Sequence, residues 1–468
     1  MNPIWLALAC AHSPEAPVID LTQAPTVLAA PDYTPPVPTE HSLSNGTRVW
    51  VHAQEGLPLV SLRLVVPGGS ASDPATAPGT TSVADAMLTR GAGDRDATAF
   101  ATEVEKLALS LDTDTLSTST IVSLDAHSDR LEDGLDLLAD MVLRPLFSST
   151  DLERLKEIQI GELTEASDDA KTLAGWTMDR LYFGQGHPLA HPTEGTIASV
   201  KDIEVKDIRA SWEQRFGPDQ ATVVISGDVT AQSIIPLLEK HLGTWESAGR
   251  TQPAIPAPPV HEGENRFFFV DKPGTSQTAL RVMMPAPTQN DPSSEAAELG
   301  AIILGGTFTS RLNQLLREEK GYTYGARSSY VGKREFGYLL ASTNVQREVS
   351  APALVDLLAE LKRYEDGITE DELPKAQGAW QTRAVASMES RASIASNFAG
   401  LAIEDLPIDT FGTQLKAAKS ADIEAVNKSI ETSSLDNSIV IVVGDLEKIR
   451  ADIEKMVPVR WEMVHTEH

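Results

Sequence analysis

The strand-like stretch ATVVISGD, residues 221–228, has a near copy in SIVIVVGD, residues 438–445. Each copy is a short continuous run of mainly apolar and β-branched residues that ends in Gly-Asp. Such a run, bounded by a turn signal, is typical of a strand that is buried in a sheet. The two copies lie about 220 residues apart. If other segments repeat at the same distance, the chain consists of two similar halves.

Two further pairs of segments support a duplication. DLLADM at residues 136–141 corresponds to DLLAEL at 356–361, and KDIEVKDIRASW at 201–212 corresponds to SADIEAVNKSI at 420–430. Both offsets are again close to 220 residues. Strand-like and helix-like patterns alternate in each half, so we expect an α+β fold with two homologous halves. Each half is predicted to be a mostly antiparallel sheet with helices packed on one side.

Composition shifts set the expected domain boundaries. Residues 1–40 combine a signal-like start with a Pro-rich tether, and residues 246–265 contain TQPAIPAPPV, which is typical of an extended linker. The predicted N-terminal domain therefore spans residues 41–245, and the predicted C-terminal domain spans residues 266–460.

Apolar periodicity predicts the local elements. It predicts strands over 59–69 and 116–126, and helices over 80–90, 97–111, 128–142 and 149–167. In LNQLLREEKGYTYGA, residues 312–326, a helix is expected to end before Gly321, with a strand-like turn after it.

Charge and cysteine content exclude several classes of function. The 468 residues carry a formal net charge of −28, which repels nucleic acid and anionic membrane surfaces. Cys10 is the only cysteine, so the chain can form neither an internal disulfide nor a cysteine-based zinc site. No apolar run approaches the roughly 20 residues of a membrane span.

The N-terminal run IWLALACA, residues 4–11, resembles a bacterial lipoprotein signal whose cysteine, Cys10, would carry the lipid. This predicts a periplasmic protein or a membrane-anchored lipoprotein, attached to the membrane through lipid only. However, no Lys or Arg precedes Arg48, so the usual basic segment is missing. The alternatives are an apolar tail on a cytoplasmic protein, or a true start that lies upstream.

The segment PGTTSVADAMLTRGAG, residues 78–93, resembles the zinc-binding helix of the pitrilysin/insulinase family of zinc peptidases, the inverzincins. The family helix has the form G-x-x-H-x-x-E-H-M-L-x-x-G, in which two His bind zinc and the Glu activates water. Here the frame is kept by Gly79, Met87, Leu88 and Gly91, whereas the His, Glu and His positions hold Ser82, Asp85 and Ala86.

These substitutions predict that the chain binds no zinc. Catalytic zinc needs three protein ligands and a water, and neither a serine hydroxyl nor an alanine methyl replaces an imidazole. The resemblance places the third family ligand near Glu162, which would leave one ligand of three. The plain alternative for Asp85 is a solvated helix residue, and for Glu162 a structural role. His187 and His191 in HPLAH are spaced i, i+4, but the prolines after each of them argue against a helix there and therefore against a metal site.

The family resemblance extends over residues 41–455 and is strongest in the second half. The family pattern of a Gly pair, Ser-Arg-Leu, Arg-Glu, Gly and Tyr is matched by Gly305, Gly306, Ser310, Arg311, Leu312, Arg317, Glu318, Gly321 and Tyr324. The resemblance implies that Arg317 and Tyr324 are substrate-binding and catalytic residues. Taken alone, the stretch also fits an ordinary helix end with a solvated arginine.

Some members of this family, similar to mitochondrial processing peptidase, divide the active site between two chains. The resemblance therefore implies a fold of the kind shared by LuxS and this peptidase, and a partner chain with an intact H-x-x-E-H helix that holds the zinc. The chain itself would have no cofactor and no activity alone. Unfolded peptides would be the substrates of the pair. The alternative is an inactive scaffold or a peptide-binding homologue.

Overall fold

The computed structural model describes residues 32–246, 249, 254–259 and 266–465. Predictions for Cys10 and for most of the Pro-rich tether and linker therefore lie outside the described residues. From Thr34 onward the chain folds as one compact unit. This unit contains two six-stranded sheets and one two-stranded ribbon.

The first half builds the first sheet and eight helices. Its strands are β1 (Thr39–Ser42), β2 (Arg48–Ala53), β3 (Leu59–Pro67), β4 (Gly91–Ala92), β5 (Arg95–Asp96), β6 (Ser110–Thr115), β7 (Ser119–His127) and β8 (Thr222–Gly227). Its helices are α1 (Thr80–Met87), α2 (Ala97–Lys106), α3 (Leu131–Leu143), α4 (Ser149–Asp168), α5 (Ala170–Phe183), α6 (Ile197–Asp202), α7 (Val205–Arg215) and α8 (Ala231–Leu242).

The second half builds the second sheet and eight more helices. Its strands are β9 (Arg266–Asp271), β10 (Gln277–Pro285), β11 (Ala326–Gly332), β12 (Gly337–Gln346), β13 (Ile439–Gly444) and β14 (Trp461–Met463). Its helices are α9 (Ser294–Ala301), α10 (Arg311–Asn313), α11 (Ser350–Tyr364), α12 (Glu372–Ala386), α13 (Arg391–Ile403), α14 (Thr410–Ser420), α15 (Ile423–Ile430) and α16 (Leu446–Met456). Two π-helical turns, Ile302–Gly306 and Gln314–Glu319, follow α9 and α10.

Five of the six strands in each sheet follow equivalent orders, whereas the edge strands differ: β1 pairs antiparallel with β2, and β14 pairs parallel with β9. The first sheet has the order β6-β7-β3-β8-β2-β1 and the second has the order β11-β12-β10-β13-β9-β14. The two quoted stretches form β8 and β13, and each pairs antiparallel with the central strand, β3 or β10, and parallel with β2 or β9. The predicted duplication and the α+β fold class are therefore confirmed.

One face of each sheet carries the main core of its half. Along β3, Leu62, Leu64 and Val66 alternate onto the face that α1, α3 and α8 cover, as the period of two residues in a strand requires. In the second half, Leu280 and Val282 of β10 occupy the equivalent face and pack against α9, α11 and α16. These helices are the layer that the sequence predicts on one side of each sheet.

The opposite face of each sheet is covered by a single helix from the other half. Helix α13 of the second half buries Phe398 and Ala395 against Trp50 and Val224 of the first sheet. Helix α5 of the first half buries Leu173 and Met178 against the second sheet. The two helices are exchanged between the halves, and we refer to them as the exchanged helices. The sequence did not predict them.

Several local predictions need adjustment. The helix predicted over 97–111 ends at Lys106, and the chain from Ser110 already belongs to β6. The helix predicted over 80–90 ends at Met87, and Gly91, with φ of 107°, begins the ribbon of β4 and β5 rather than capping the helix. Within the described ranges, we find no helix that is both long and apolar enough to cross a membrane.

Candidate functional site

The turn between the second π-helical turn and β11 exposes Tyr324 almost completely. Its side chain is 91% exposed, the highest value among the exposed large apolar and aromatic residues of the described chain. The turn begins at Gly321, whose φ of 64° lies in the left-handed region that glycine tolerates without strain. A tyrosine on this turn therefore projects its phenol into the space outside the domain.

The backbone on both sides of Tyr324 is held firmly. The hydroxyl of Thr323 donates to the carbonyl of Asn344 at 2.7 Å, and the amide of Gly325 donates to that hydroxyl at 3.1 Å. The amide of Ala326 donates to the side-chain oxygen of Asn313 at 3.0 Å. The exposed phenol thus stands on an anchored turn, so little conformational entropy is lost when it meets a ligand.

Arg317 lies on the π-helical turn Gln314–Glu319 and is partly exposed. Its guanidinium carbon stacks over the ring of Phe308 at 3.9 Å from the ring centroid, and Phe308 is itself 61% exposed. The nearest carboxylate is that of Glu318, at 3.6 Å. Because stacking on an aromatic face leaves the N–H edge of the guanidinium open, Arg317 can still donate to a ligand. The prediction of an ordinary α-helix here missed the π-helical turn, which is common at functional sites.

A partly buried ion pair stabilises this segment. Arg311 donates from Nε and Nη2 to the two carboxylate oxygens of Glu372 at 2.6 and 2.7 Å, and from Nη2 to the carbonyl of Gly367. Burial alone would raise the pKa of Glu372, but hydrogen bonds from Arg311 and Thr369 outweigh it and lower the pKa to about 2. The two arginines of the motif therefore differ: Arg311 is structural, and Arg317 is available.

The structure corrects the expectation that Asp85 is a solvated helix residue. Asp85 is 1% exposed, and its Oδ1 accepts from Nη2 of the fully buried Arg215 at 2.7 Å. Its Oδ2 accepts from the hydroxyls of Thr115 at 2.8 Å and Thr120 at 2.5 Å. The carboxylate at the family's water-activating position is therefore fully engaged in an interior hydrogen-bond network.

Ser82 and Ala86 stand where the family has its two zinc-binding His, and neither side chain replaces an imidazole as a zinc ligand. Ser82 and Ala86 are partly exposed on α1, whereas Asp85 turns inward against α7. The equivalents of the two imidazoles are thus a hydroxyl and a methyl, and the remaining carboxylate is committed to Arg215. These residues do not fit a zinc ion, and no chemistry can be assigned to a metal at this helix.

Hydrogen bonds within the described part of the chain do not join Glu162, His187 or His191 to the network around Asp85. Glu162 is exposed on α4. His187 uses both ring nitrogens locally, since Nε2 lies 2.9 Å from the carbonyl of Pro256 and Nδ1 accepts from the amide of Leu189 at 3.1 Å. His191 contacts the carbonyl of Pro192 through Nδ1. Across the described residues, no group of three or more His, Cys, Asp or Glu is arranged to hold a metal ion.

Sequence analysis missed three residues of these sites. Arg215 neutralises Asp85, Phe308 supports Arg317, and Asp73 accepts from the amides of Gly79 and Thr81 at 2.6 and 2.7 Å at the start of α1. Phe308 lies between the Gly pair and the Ser-Arg-Leu segment of the motif, and this position in the sequence could have drawn attention to it. Nothing local could have paired Arg215 with Asp85, because 130 residues separate them.

Two family models match the chain. The model of the insulinase family, peptidase family M16, matches residues 48–184, and the model of the peptidase M16 inactive domain matches residues 202–379. Together they cover more than half of the chain. Among curated proteins, the non-peptidase homolog YmxG of Helicobacter pylori is 23% identical over 417 residues, which cover 87% of this chain and 94% of the relative.

Solved structures share the fold. The peptidase M16 inactive domain from Pseudomonas fluorescens superposes with a TM-score of 0.80 at 24% identity and covers 87% of this chain and 97% of its own. The periplasmic protease PqqL from Escherichia coli superposes with a TM-score of 0.73 at 17% identity. That match covers 95% of this chain but only 48% of PqqL, so the present chain corresponds to half of the longer protein.

Proposed function

Because the chain belongs to the M16 (insulinase) peptidase family, we propose that it is the non-zinc-binding subunit of a two-chain zinc peptidase. It is a non-catalytic family member on its own, since Ser82 and Ala86 stand where the family has two imidazoles. The partner in this proposal is a homologous chain with an intact H-x-x-E-H helix that holds the zinc. Unfolded peptides are the proposed substrates.

The observation that carries the proposal is the exposed Tyr324 on its anchored turn. An aromatic side chain that is 91% exposed contributes little to the stability of this chain. Its neighbours in sequence are nevertheless fixed by hydrogen bonds to β12 and to Asn313. A rigidly presented phenol that has no structural use suits a group that acts on a molecule outside this domain.

The chemistry of peptide hydrolysis gives both side chains a role. Negative charge develops on the carbonyl oxygen when water attacks a peptide bond, and a fixed phenol O–H stabilises that charge more than it stabilises the ground state. The open edge of Arg317 can donate two parallel hydrogen bonds to backbone carbonyls of an extended peptide. Neither role needs a metal ligand in this chain.

The likeness to one half of PqqL supports a second half of similar fold in this proposal. The chain corresponds to half of PqqL, a protease whose remaining half lies outside the match. In the two-chain proposal, a second chain of similar fold supplies that remainder together with the water-activating glutamate. We also propose that the chain is exported and lipidated at Cys10, on the strength of the LALAC sequence.

The second candidate function is a scaffold or peptide-binding homologue. The H. pylori relative is described as a non-peptidase homolog, which favours this alternative. The exposed Arg317, Phe308 and Tyr324 would then bind a peptide without hydrolysing it. The two candidates differ in whether Tyr324 affects turnover.

The test is a reconstituted complex with a homologous chain that has the intact zinc helix. Tyr324→Phe keeps the ring and removes the donor, so kcat should fall by roughly 10² to 10³. Arg317→Lys keeps the charge but loses the fork geometry, so it should mainly raise KM. Ser329→Ala on β11 is the matched control, because Ser329 is an exposed residue of the adjoining strand.

Gel filtration and thermal melting establish that each variant keeps its fold and its partner. Wild-type turnover by the Tyr324→Phe complex would show that the phenol has no catalytic role. If the wild-type complex binds peptides but hydrolyses none, the peptide-binding alternative is correct.

A further inference from the structure

A cavity of about 830 Å³ lies between the two halves, away from Tyr324 and Arg317. Both exchanged helices line it: α5 contributes Trp176, Asp179 and Phe183, and α13 contributes Ser396 and Gly400. The tip of the β6–β7 hairpin and the turn between β11 and β12 complete its walls. Its volume falls in the range of small-molecule sites in proteins, about 300–1,000 Å³.

Asp179 faces this cavity, and the described part of the chain provides no partner for its carboxylate. Trp176, Asp179 and Phe183 are spaced i, i+3 and i+7, so they form one stripe along α5, while Met178 turns toward the second sheet. Among the described residues, no hydrogen bond or ion pair reaches the carboxylate of Asp179, and burial raises its pKa to about 7. An unpaired carboxylate in such a place destabilises the fold unless a ligand compensates it.

Aromatic rings line the same cavity as the carboxylate. Phe183 meets Phe336 edge to face at 5.0 Å between centroids, and Phe336 stacks parallel to Tyr338 at 6.2 Å. Burial and the nearby charge of Asp179 raise the pKa of Tyr338 to about 12. A carboxylate among aromatic faces is the combination that binds an ammonium or guanidinium group, since both attract positive charge.

The charge of the lining favours a cation as well. The carboxylates that line the cavity outnumber its single lysine; they are Asp179, Glu194, Glu335 and Glu404. The lysine, Lys333, is already paired with Glu404 at 2.5 Å. His191 also lines the cavity, and the adjacent Arg180 is directed to the carbonyl of His465. Among the described residues of the lining, the carboxylates therefore outnumber the basic side chains, Lys333 and His191, and Lys333 is already paired.

We propose that this cavity is a binding site for an organic cation, an alkylammonium or guanidinium group, with Asp179 as the counter-charge and the α5 and β12 aromatics as its walls. The cation can be a free small molecule or the basic side chain of a peptide, because the recognised group is the same. The site is formed only when the two halves are together, since α5 and α13 come from different halves. Ligand binding would therefore favour this arrangement of the halves.

The test measures binding to the isolated full chain, so it does not depend on any peptidase activity. Calorimetric titrations compare butylguanidinium with the neutral butylurea, and a capped Ala-Arg-Ala peptide with the same peptide that carries citrulline. We expect each cation to bind at least about tenfold more tightly than its neutral analogue. Stronger binding of the free cation identifies a small-molecule site, and stronger binding of the peptide identifies a side-chain site.

Asp179→Asn should abolish the preference for the cation, whereas Glu157→Gln, which removes one exposed charge from α4, should leave it unchanged. Asp179→Asn should not lower the melting temperature, because it removes a charge that has no partner. A second measurement needs no variant: cation binding by the wild-type chain should be several-fold tighter at about pH 8 than at about pH 5.5, because Asp179 ionises between them.

Because His191 and three glutamates share the lining with Asp179, the pH dependence must be absent in Asp179→Asn to be assigned to Asp179. Equal binding of cations and neutral analogues by the wild-type chain would overturn the proposal. So would an unchanged cation preference in Asp179→Asn. Neither result bears on Tyr324, whose test uses turnover by the two-chain complex.

Discussion

Replacing Asp85 by Asn should destabilise the first half severely. The substitution keeps the shape of the side chain but leaves the guanidinium of Arg215, which is 0% exposed, without a counter-charge. Breaking a buried pair by neutralising one partner costs about 3–5 kcal/mol. The hydroxyl donors of Thr115 and Thr120 can still reach the amide oxygen, so we expect the loss to come mainly from the uncompensated Arg215.

The expected change is measurable by differential scanning calorimetry. For the whole compact unit that begins at Thr34, this loss corresponds to a fall in Tm of roughly 3–6 °C. The control is Glu454→Gln, which breaks the exposed pair between Arg450 and Glu454 at 2.7 Å and should change stability by less than about 1 kcal/mol.

A double variant, Asp85→Leu with Arg215→Met, separates pairing from packing. If the loss in Asp85→Asn comes from an unpaired charge, removing both charges should recover most of the stability, since buried ion pairs are often replaceable by apolar residues of similar volume. An Asp85→Asn chain that melts with the wild type would refute the assignment of the pair as a structural element. A double variant as unstable as the single one would place the loss in packing instead.

Three further outcomes follow from the same structure. Grafting Ser82→His, Asp85→Glu and Ala86→His should give the pure chain no activity in a peptide-cleavage assay, because Arg215 holds the position-85 carboxylate that would have to activate the water. Hydrogen bonds from Arg311 lower the pKa of Glu372 to about 2. The pair therefore stabilises the fold at pH values above the unfolded pKa near 4.5, and this stabilisation is lost as the pH falls toward 2. Melting curves of Arg311→Met at acid pH should lack this pH-dependent loss of stability. Mass spectrometry of native material should find the mature chain beginning at an acylated Cys10, and an unprocessed Met1 would remove the export proposal.

Sequence alone predicted the duplicated architecture because its signal is local and repeated. The buried strands β8 and β13 are continuous apolar runs, and each sheet needs such a strand next to its centre. Apolar periodicity likewise predicted a strand over 59–69, where the structure has β3 (Leu59–Pro67). These features depend on neighbours within a few residues, so periodicity is sufficient to find them.

The environment of Asp85 could not be predicted in the same way. Its position in the family-like frame is visible in the sequence, but its burial depends on Arg215 and on Thr120, which come from α7 and β7. Sequence analysis predicts that a carboxylate on a short helix is exposed, unless its distant partner is known. The family resemblance drew attention to the position, and the three-dimensional contacts showed its environment.

The exchanged helices show why the cavity at Asp179 was also invisible to sequence analysis. Each of them packs on a sheet of the other half, so the residues that it contacts lie far away in the chain. Trp176, Asp179 and Phe183 along α5 line a cavity only because the chain folds so that Phe336 and Tyr338 of the second half lie beside them. A site of this kind belongs to the interface between duplicated halves. Because the exchange joins the two halves through both helices, a ligand that stabilises this interface can affect both sheets, including the strand β11 that follows the Tyr324 turn.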